Sequence, residues 1–158
     1  MGNIFSGGEV VEIGIQIEKN GKDFYNALAK KTKNKDAMKI FDYLAKEEEK
    51  HITVFQGIFD SVSKYEPPES YPGEYFAYMN ALAAEYVFTQ ANKGAETAGS
   101  VKSDSDAIDL GIKFEKDSII FYEGTKKVVP DYDSKVIDEL IIQEQNHLRI
   151  LMDLKRNL

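Results

Sequence analysis

The chain has 158 residues, a size at which one compact domain buries roughly two thirds of its unfolded surface, so a single domain over 1–158 is expected. A net charge of -7 and a pI near 4.9 repel nucleic acid and anionic membrane, and neither is expected as a partner. The complete lack of cysteine excludes disulfides, thiol nucleophiles, zinc–thiolate sites and iron–sulfur clusters, which leaves oxygen and imidazole to carry any chemistry.

The first residues, "MGNIFSGGEVVE", have neither a basic start nor a long apolar run, and no stretch of about 18 apolar residues follows. A cytoplasmic protein without a spanning helix is expected. Gly2 and Ser6 match the myristoylation spacing, but Ser6 with Glu9 also fits the capping-box signature, a more ordinary use of the serine. Apolar periodicity predicts a first helix over about 7–31, ending in "KKTKNK", where cations suit a helix C-terminus. A second is predicted over about 35–64. Its seam runs Phe41, Leu44, Glu48, His51, Phe55, Ile58, Val62, alternately three and four residues apart, so Glu48 and His51 stand where the pattern asks for leucine.

Three prolines and a glycine in "YEPPESYPG", residues 65–73, break that helix. Residues 74–91 read as one or two shorter helices within a long crossover, and "NKGAETAGSVKSD" reads as a polar loop. A third helix is predicted over about 104–128, closed by Pro130, and a fourth over about 134–156 with the seam Ile137, Leu140, Glu144, His147, Leu151, Leu154. The chain repeats itself: "GEVVEIGIQIE" at 8–18 aligns with "SDAIDLGIKFE" at 105–115, and Phe24–Tyr25 with Phe121–Tyr122. Ser103 with Asp106 echoes the cap of the first helix. Two helices, a long crossover and two more helices make an all-α antiparallel four-helix bundle with one long connection.

Glu48 and His51 lie on one helix face within a turn, and Glu144 and His147 repeat the arrangement. Glu18 and Glu115 are the equivalent acids on the other two seams, with Val11 and Tyr25 one heptad either side of the first and Ile108 and Tyr122 either side of the second. The centre would then hold four carboxylates and two imidazoles. Burying an unpaired carboxylate costs several kcal/mol, and these seams carry no lysine or arginine. Two divalent cations bring +4 against -4 and neutralise the site. An oxygen-rich set without thiolate suits iron or manganese better than structural zinc.

Other readings compete at each position. A run such as "EEEKH" is usually solvated, and Glu47 and Glu49, each rotated about 100° from Glu48, are expected to be. A lone histidine on an apolar seam is usually a core residue, yet both histidines of this chain follow a glutamate by three and are repeat-equivalent. Tyr25 and Tyr122 are either core aromatics or groups with a redox or hydrogen-bonding role. Gly14, Gly21, Gly111 and Ser118 either leave room for access to the centre or permit close packing. Glu85, in the crossover, is a possible extra ligand.

Through "IEKNGKDFY", "EEEKH", "FEKDSIIFY" and "QEQNH" the chain resembles the rubrerythrin-like branch of the ferritin-like di-iron proteins over nearly its whole length. The resemblance implies a ferritin-like bundle whose crossover contains short helices. It implies two iron ions, or manganese or a mixed pair, held by Glu18, Glu48, His51, Glu115, Glu144 and His147, with Tyr25 and Tyr122 beside the carboxylates. It also implies a non-haem oxidoreductase that reduces hydrogen peroxide or O2, with ferroxidation for iron storage or delivery, or a non-catalytic metal-stabilised module, as alternatives. Two features depart from the family. Rubrerythrins usually carry a further glutamate three residues after the third helix's ligand, where this chain has Ser118, and they carry a cysteine-ligated iron site that this chain cannot form. Electrons would come from a separate donor. Docking of two copies through the apolar crossover predicts a homodimer.

Overall fold

A computed structural model of the chain describes residues 6–62 and 74–158. Six α-helices occupy them: α1 (Gly7–Lys31), α2 (Lys35–Val62), α3 (Glu74–Glu85), α4 (Gly94–Gly99), α5 (Asp104–Thr125) and α6 (Asp131–Arg156), with 3-10 turns at Val87–Thr89 and Lys126–Val128. Gly2, the last two positions of the expected second helix and the proline-rich stretch 65–73 lie outside the described residues.

Local chemistry sets the helix starts. Ser6 accepts the Glu9 N–H at 3.2 Å while the Glu9 carboxylate takes the Ser6 N–H at 2.9 Å, a complete capping box. Ser103 accepts the Asp106 N–H at 3.1 Å, one half of the same device. Asn34 Oδ1 accepts from Asp36 and Ala37, both at 3.0 Å, and opens α2. Helix α6 begins at Asp131, three residues before the expected 134. Pro130 needs no donor of its own there, and its carbonyl accepts the Ser134 N–H at 2.9 Å. The third long helix is α-helical to Thr125 and tightens into the 3-10 turn through Val128.

The long helices form two hairpins, α1 on α2 and α5 on α6, which meet with α1 against α5 and α2 against α6. Each seam turns inward. Phe41, Leu44, Phe55, Ile58 and Val62 of α2 and Ile137, Leu140, Leu151 and Leu154 of α6 are all buried, at roughly 1.5–3 kcal/mol of transfer energy per large side chain. Val11 and Ile108 are fully buried beyond the acids of α1 and α5. The bundle is therefore the expected all-α one, antiparallel with one long connection.

The crossover corrects one expectation. Residues 92–104 are not a plain polar loop but contain α4, which packs on α1. The buried Asn20 organises this contact: its Nδ2 donates to the carbonyls of Phe88 and Gln90, both at 2.6 Å, and its Oδ1 accepts the N–H groups of Lys93 at 2.9 Å and Gly94 at 3.0 Å. Gly94 sits so near α1 that a Cβ there would strike the backbone carbonyl of Asn20. Lys31, at the cationic end of α1, donates to the carbonyls of Ala98 and Gly99 at 3.4 Å and to that of Val101. It thus serves the C-terminal end of α4 as well as its own helix.

Candidate metal centre

Six polar side chains enter the core at mid-bundle: Glu18 from α1, Glu48 and His51 from α2, Glu115 from α5, and Glu144 and His147 from α6. All six are buried. They divide into two groups of four. Glu18, Glu48, His51 and Glu144 bring one donor atom each within 4.8 Å of one another, and Glu48, Glu115, Glu144 and His147 do the same. Glu48 and Glu144 belong to both groups, so each half has its own glutamate and histidine and the two halves share two carboxylates. The shared pair is the pair of Glu-x-x-His acids.

Both imidazoles turn Nδ1 inward. His51 Nδ1 lies 2.9 Å from Glu144 Oε1, 3.4 Å from Glu18 Oε2 and 3.5 Å from Glu48 Oε2. His147 Nδ1 lies 3.0 Å from Glu144 Oε2 and 3.4 Å from Glu48 Oε1. The rings stack with centroids 5.4 Å apart. Three buried atoms in the first group, Glu18 Oε2, His51 Nδ1 and Glu144 Oε1, lack a hydrogen-bond partner although they face each other. Buried polar atoms are rarely left so, and convergent donors without hydrogen-bonding geometry are what a cation needs. The residues present fit two ions.

The tyrosines cross between hairpins. Tyr25, on α1, donates to Glu115 Oε1 at 2.7 Å, and Tyr122, on α5, donates to Glu18 Oε1. Each steadies the acid of the opposite helix and not the one a heptad away on its own. Glu18 thus has one oxygen held and the other turned to the centre. Burial, and then the neighbouring carboxylate charges, push both phenols well above the usual tyrosine range, so both remain donors.

Electrostatics sets which members of the cluster hold protons. Burial, then the charges of Glu18 and Glu115, raises Glu48 to about 8, and burial with the charge of Glu144 raises Glu115 well above the carboxylate range. Burial also opposes ionisation of Glu18, but the neighbouring carboxyl of Glu48 and the charge of His51 outweigh it and hold Glu18 near 2. For His147 burial disfavours the cation, yet hydrogen bonds to Glu144 and Glu48 raise it to about 12. His51, facing Glu18 and Glu144, is raised further. Protons on Glu48, Glu115, His51 and His147 therefore stand in for cationic charge.

The remaining expected positions separate. The glycines allow close packing: a Cβ at Gly14 would meet the Phe55 ring, one at Gly21 the Glu48 side chain, and one at Gly111 Leu151 and the Tyr25 hydroxyl. Ser118 is buried, with its hydroxyl 2.8 Å from that of Tyr86, which reaches in from the crossover and also bonds the Phe114 carbonyl at 3.0 Å. Glu85 is exposed and lines a surface hollow with Lys113 and Asp117, away from the centre. Glu49 is 68% exposed, as expected. Glu47 is not: its side chain is only 15% exposed, and it brings an oxygen within 4.8 Å of a ring nitrogen of each histidine. Gln143, which accepts from His51 Nε2 at 2.8 Å, was not singled out by its sequence. The repeat could have found it, because it is the counterpart of Glu47. Nothing in the sequence marks Asn20 or Tyr86.

The chain is thus a four-helix bundle whose centre offers two carboxylate–histidine groups with two glutamates in common. The rubrerythrin family model matches residues 9–155, and the chain belongs to the rubrerythrin family. It is also similar to a Thermotoga maritima protein of known crystal structure, described as a candidate ferritin-like diiron-carboxylate protein. Identity is 24%, the match covers 99% of this chain and 98% of that one, and the TM-score is 0.70, a likeness of fold. No curated protein matches the sequence.

Proposed function

We propose that the six residues hold two iron ions, with manganese or a mixed pair as variants of the same site, and that the protein is a non-haem oxidoreductase reducing hydrogen peroxide or O2. The observation that carries this reading is the sharing of Glu48 and Glu144 between two four-residue groups, an arrangement that would hold two ions close enough to act on one small molecule. When bound, an iron(II) pair supplies two electrons at one place, enough with two protons to convert one hydrogen peroxide to two waters. Glu18 and His51 would hold one ion, Glu115 and His147 the other. Tyr122 and Tyr25 keep Glu18 and Glu115 in place. The packed apolar residues on both sides of the centre exclude bulk water, which strengthens each of these contacts.

Without cysteine the chain has no thiolate-ligated iron of its own, so electrons are drawn from an external donor. The test is anaerobic iron(II) titration followed by mixing with peroxide or O2. Two ions per chain, and oxidation faster with one of the two oxidants, are expected. A stoichiometry other than two, or a loaded protein that neither oxidant oxidises, sinks the reading. Accumulation of many irons per chain in place of turnover with a reductant would make iron itself the substrate.

A further inference from the structure

The six ligand residues form a symmetric set: each half has its own glutamate and histidine, and both share Glu48 and Glu144. The groups outside them are not symmetric. With Nδ1 turned to the carboxylates, each imidazole carries a proton on Nε2 that faces away from the centre and is free to meet an acceptor outside the six residues. For His51 the acceptor is Gln143 Oε1 at 2.8 Å, reaching across from α6. Gln143 stands four residues before His147, and the residue four before His51 is Glu47. The repeat therefore puts a carboxylate at the position equivalent to the amide that serves His51. Glu47 is turned inward far enough for this, with an oxygen within 4.8 Å of a ring nitrogen of His147 as well as of His51. Lys50 holds Glu47 Oε1 at 2.6 Å from the solvent side, but at 71% exposure its charge is screened.

We propose that Glu47 and Gln143 are positioning residues that make the two metal-binding halves unequal, the half containing His147 being the stronger. The proposal rests on the six residues being ligands. A carboxylate facing an N–H pushes electron density into the imidazole and strengthens its other nitrogen as a ligand, and a neutral amide does so less. The His147 half thus fills first and holds its ion about 10-fold more tightly than its ligand set alone implies, the lower end of what such outer partners contribute.

The test uses cobalt(II), which takes the same ligands without redox chemistry. In the di-cobalt protein each Nδ1-ligated histidine gives one paramagnetically shifted, solvent-exchangeable N–H proton resonance. Two resonances with different shifts and exchange rates are expected, along with two stepwise affinities. Glu47→Gln gives both halves an amide and Gln143→Glu gives both a carboxylate. Each should draw the two resonances together, the first by weakening the tighter step about 10-fold, the second by strengthening the weaker step. Either variant alone suffices. If two cobalt ions bind and neither variant changes the resonances or the affinities, the proposal is overturned while the proposed reaction stands. If the parent protein does not bind two cobalt ions, the ligand assignment falls and this proposal with it.

Discussion

At the scale of single residues, the centre shows how four buried carboxylates are tolerated. Protons on Glu48, Glu115, His51 and His147 neutralise them in the metal-free protein, and a pair of divalent cations carries the same total charge. Binding of two ions would then be an exchange of cations for protons. Loading two ions at pH 7 should release about four protons, one from each of those residues, and fewer as the pH rises past 8 because Glu48 has already lost its own. A pH indicator in weakly buffered solution measures this directly, and release of fewer than two protons would contradict the charge balance. Glu48→Gln separates the roles of the shared acid. Its folded pKa of about 8 exceeds the usual 4.5, so its protonation stabilises the fold fully below pH 4.5 and the benefit is lost as the pH rises through 8. Glutamine keeps the volume and does not ionise. The metal-free variant should melt several degrees above the parent at pH 8 and close to it at pH 4.5, while two-ion binding is lost.

At the scale of elements, the bundle is two copies of one hairpin joined by a crossover seated on α1 next to Glu18. Asn20, two residues beyond Glu18, supplies the seat through four hydrogen bonds to segments about 70 residues away in sequence. Asn20→Ala would leave buried backbone groups unpaired, at about 1–3 kcal/mol for each that water cannot reach. A loss of about 3 kcal/mol in denaturant titrations is the expected outcome. Gly94→Ala should cost about 1–3 kcal/mol by pushing α4 off α1. Both variants should weaken metal binding less than a ligand substitution does. A crossover that served only as a tether would leave stability unchanged in both.

At the scale of the whole molecule, the raised groups all act in one direction. Glu48, between 4.5 and about 8, and His147, between 6.5 and about 12, favour the metal-free fold at the low end of each window and lose that contribution as the pH climbs. Glu18 acts at the other end, with a contribution present above 4.5 and lost only as the pH falls through 2. The melting temperature of the metal-free protein should therefore fall between pH 5 and pH 8. Metal-loaded protein should show a flatter profile and a higher melting temperature, since ions bind only the folded chain. Differential scanning calorimetry of both forms across that range is the check, and a metal-free profile that rises towards pH 8 would refute the charge assignment. No helix among the described residues is long and apolar enough to cross a membrane.

What could be read from the sequence was what local chemistry decides. Helical periodicity, the Ser6 and Ser103 caps and the Glu-x-x-His pairs act within a turn or two, so Glu48, His51, Glu144 and His147 were legible as inward-facing residues, and the repeat paired Glu18 with Glu115. "GAETAG" has no apolar period, and it is helical because Asn20 and Lys31, distant in sequence, satisfy its ends. The stretch "EEEKH" divides by helix rotation into inward Glu48 and outward Glu49, but Glu47 is drawn in by the facing histidines of two helices. Likewise, the sharing of Glu48 and Glu144, the crossed bonds from Tyr25 to Glu115 and from Tyr122 to Glu18, and the reach of Gln143 to His51 all depend on how one hairpin docks on the other. Which side chains face inward is a local matter, because a helix sets it every few residues. Which of them meet is not, because contacts across a bundle depend on the register of hairpins about 96 residues apart.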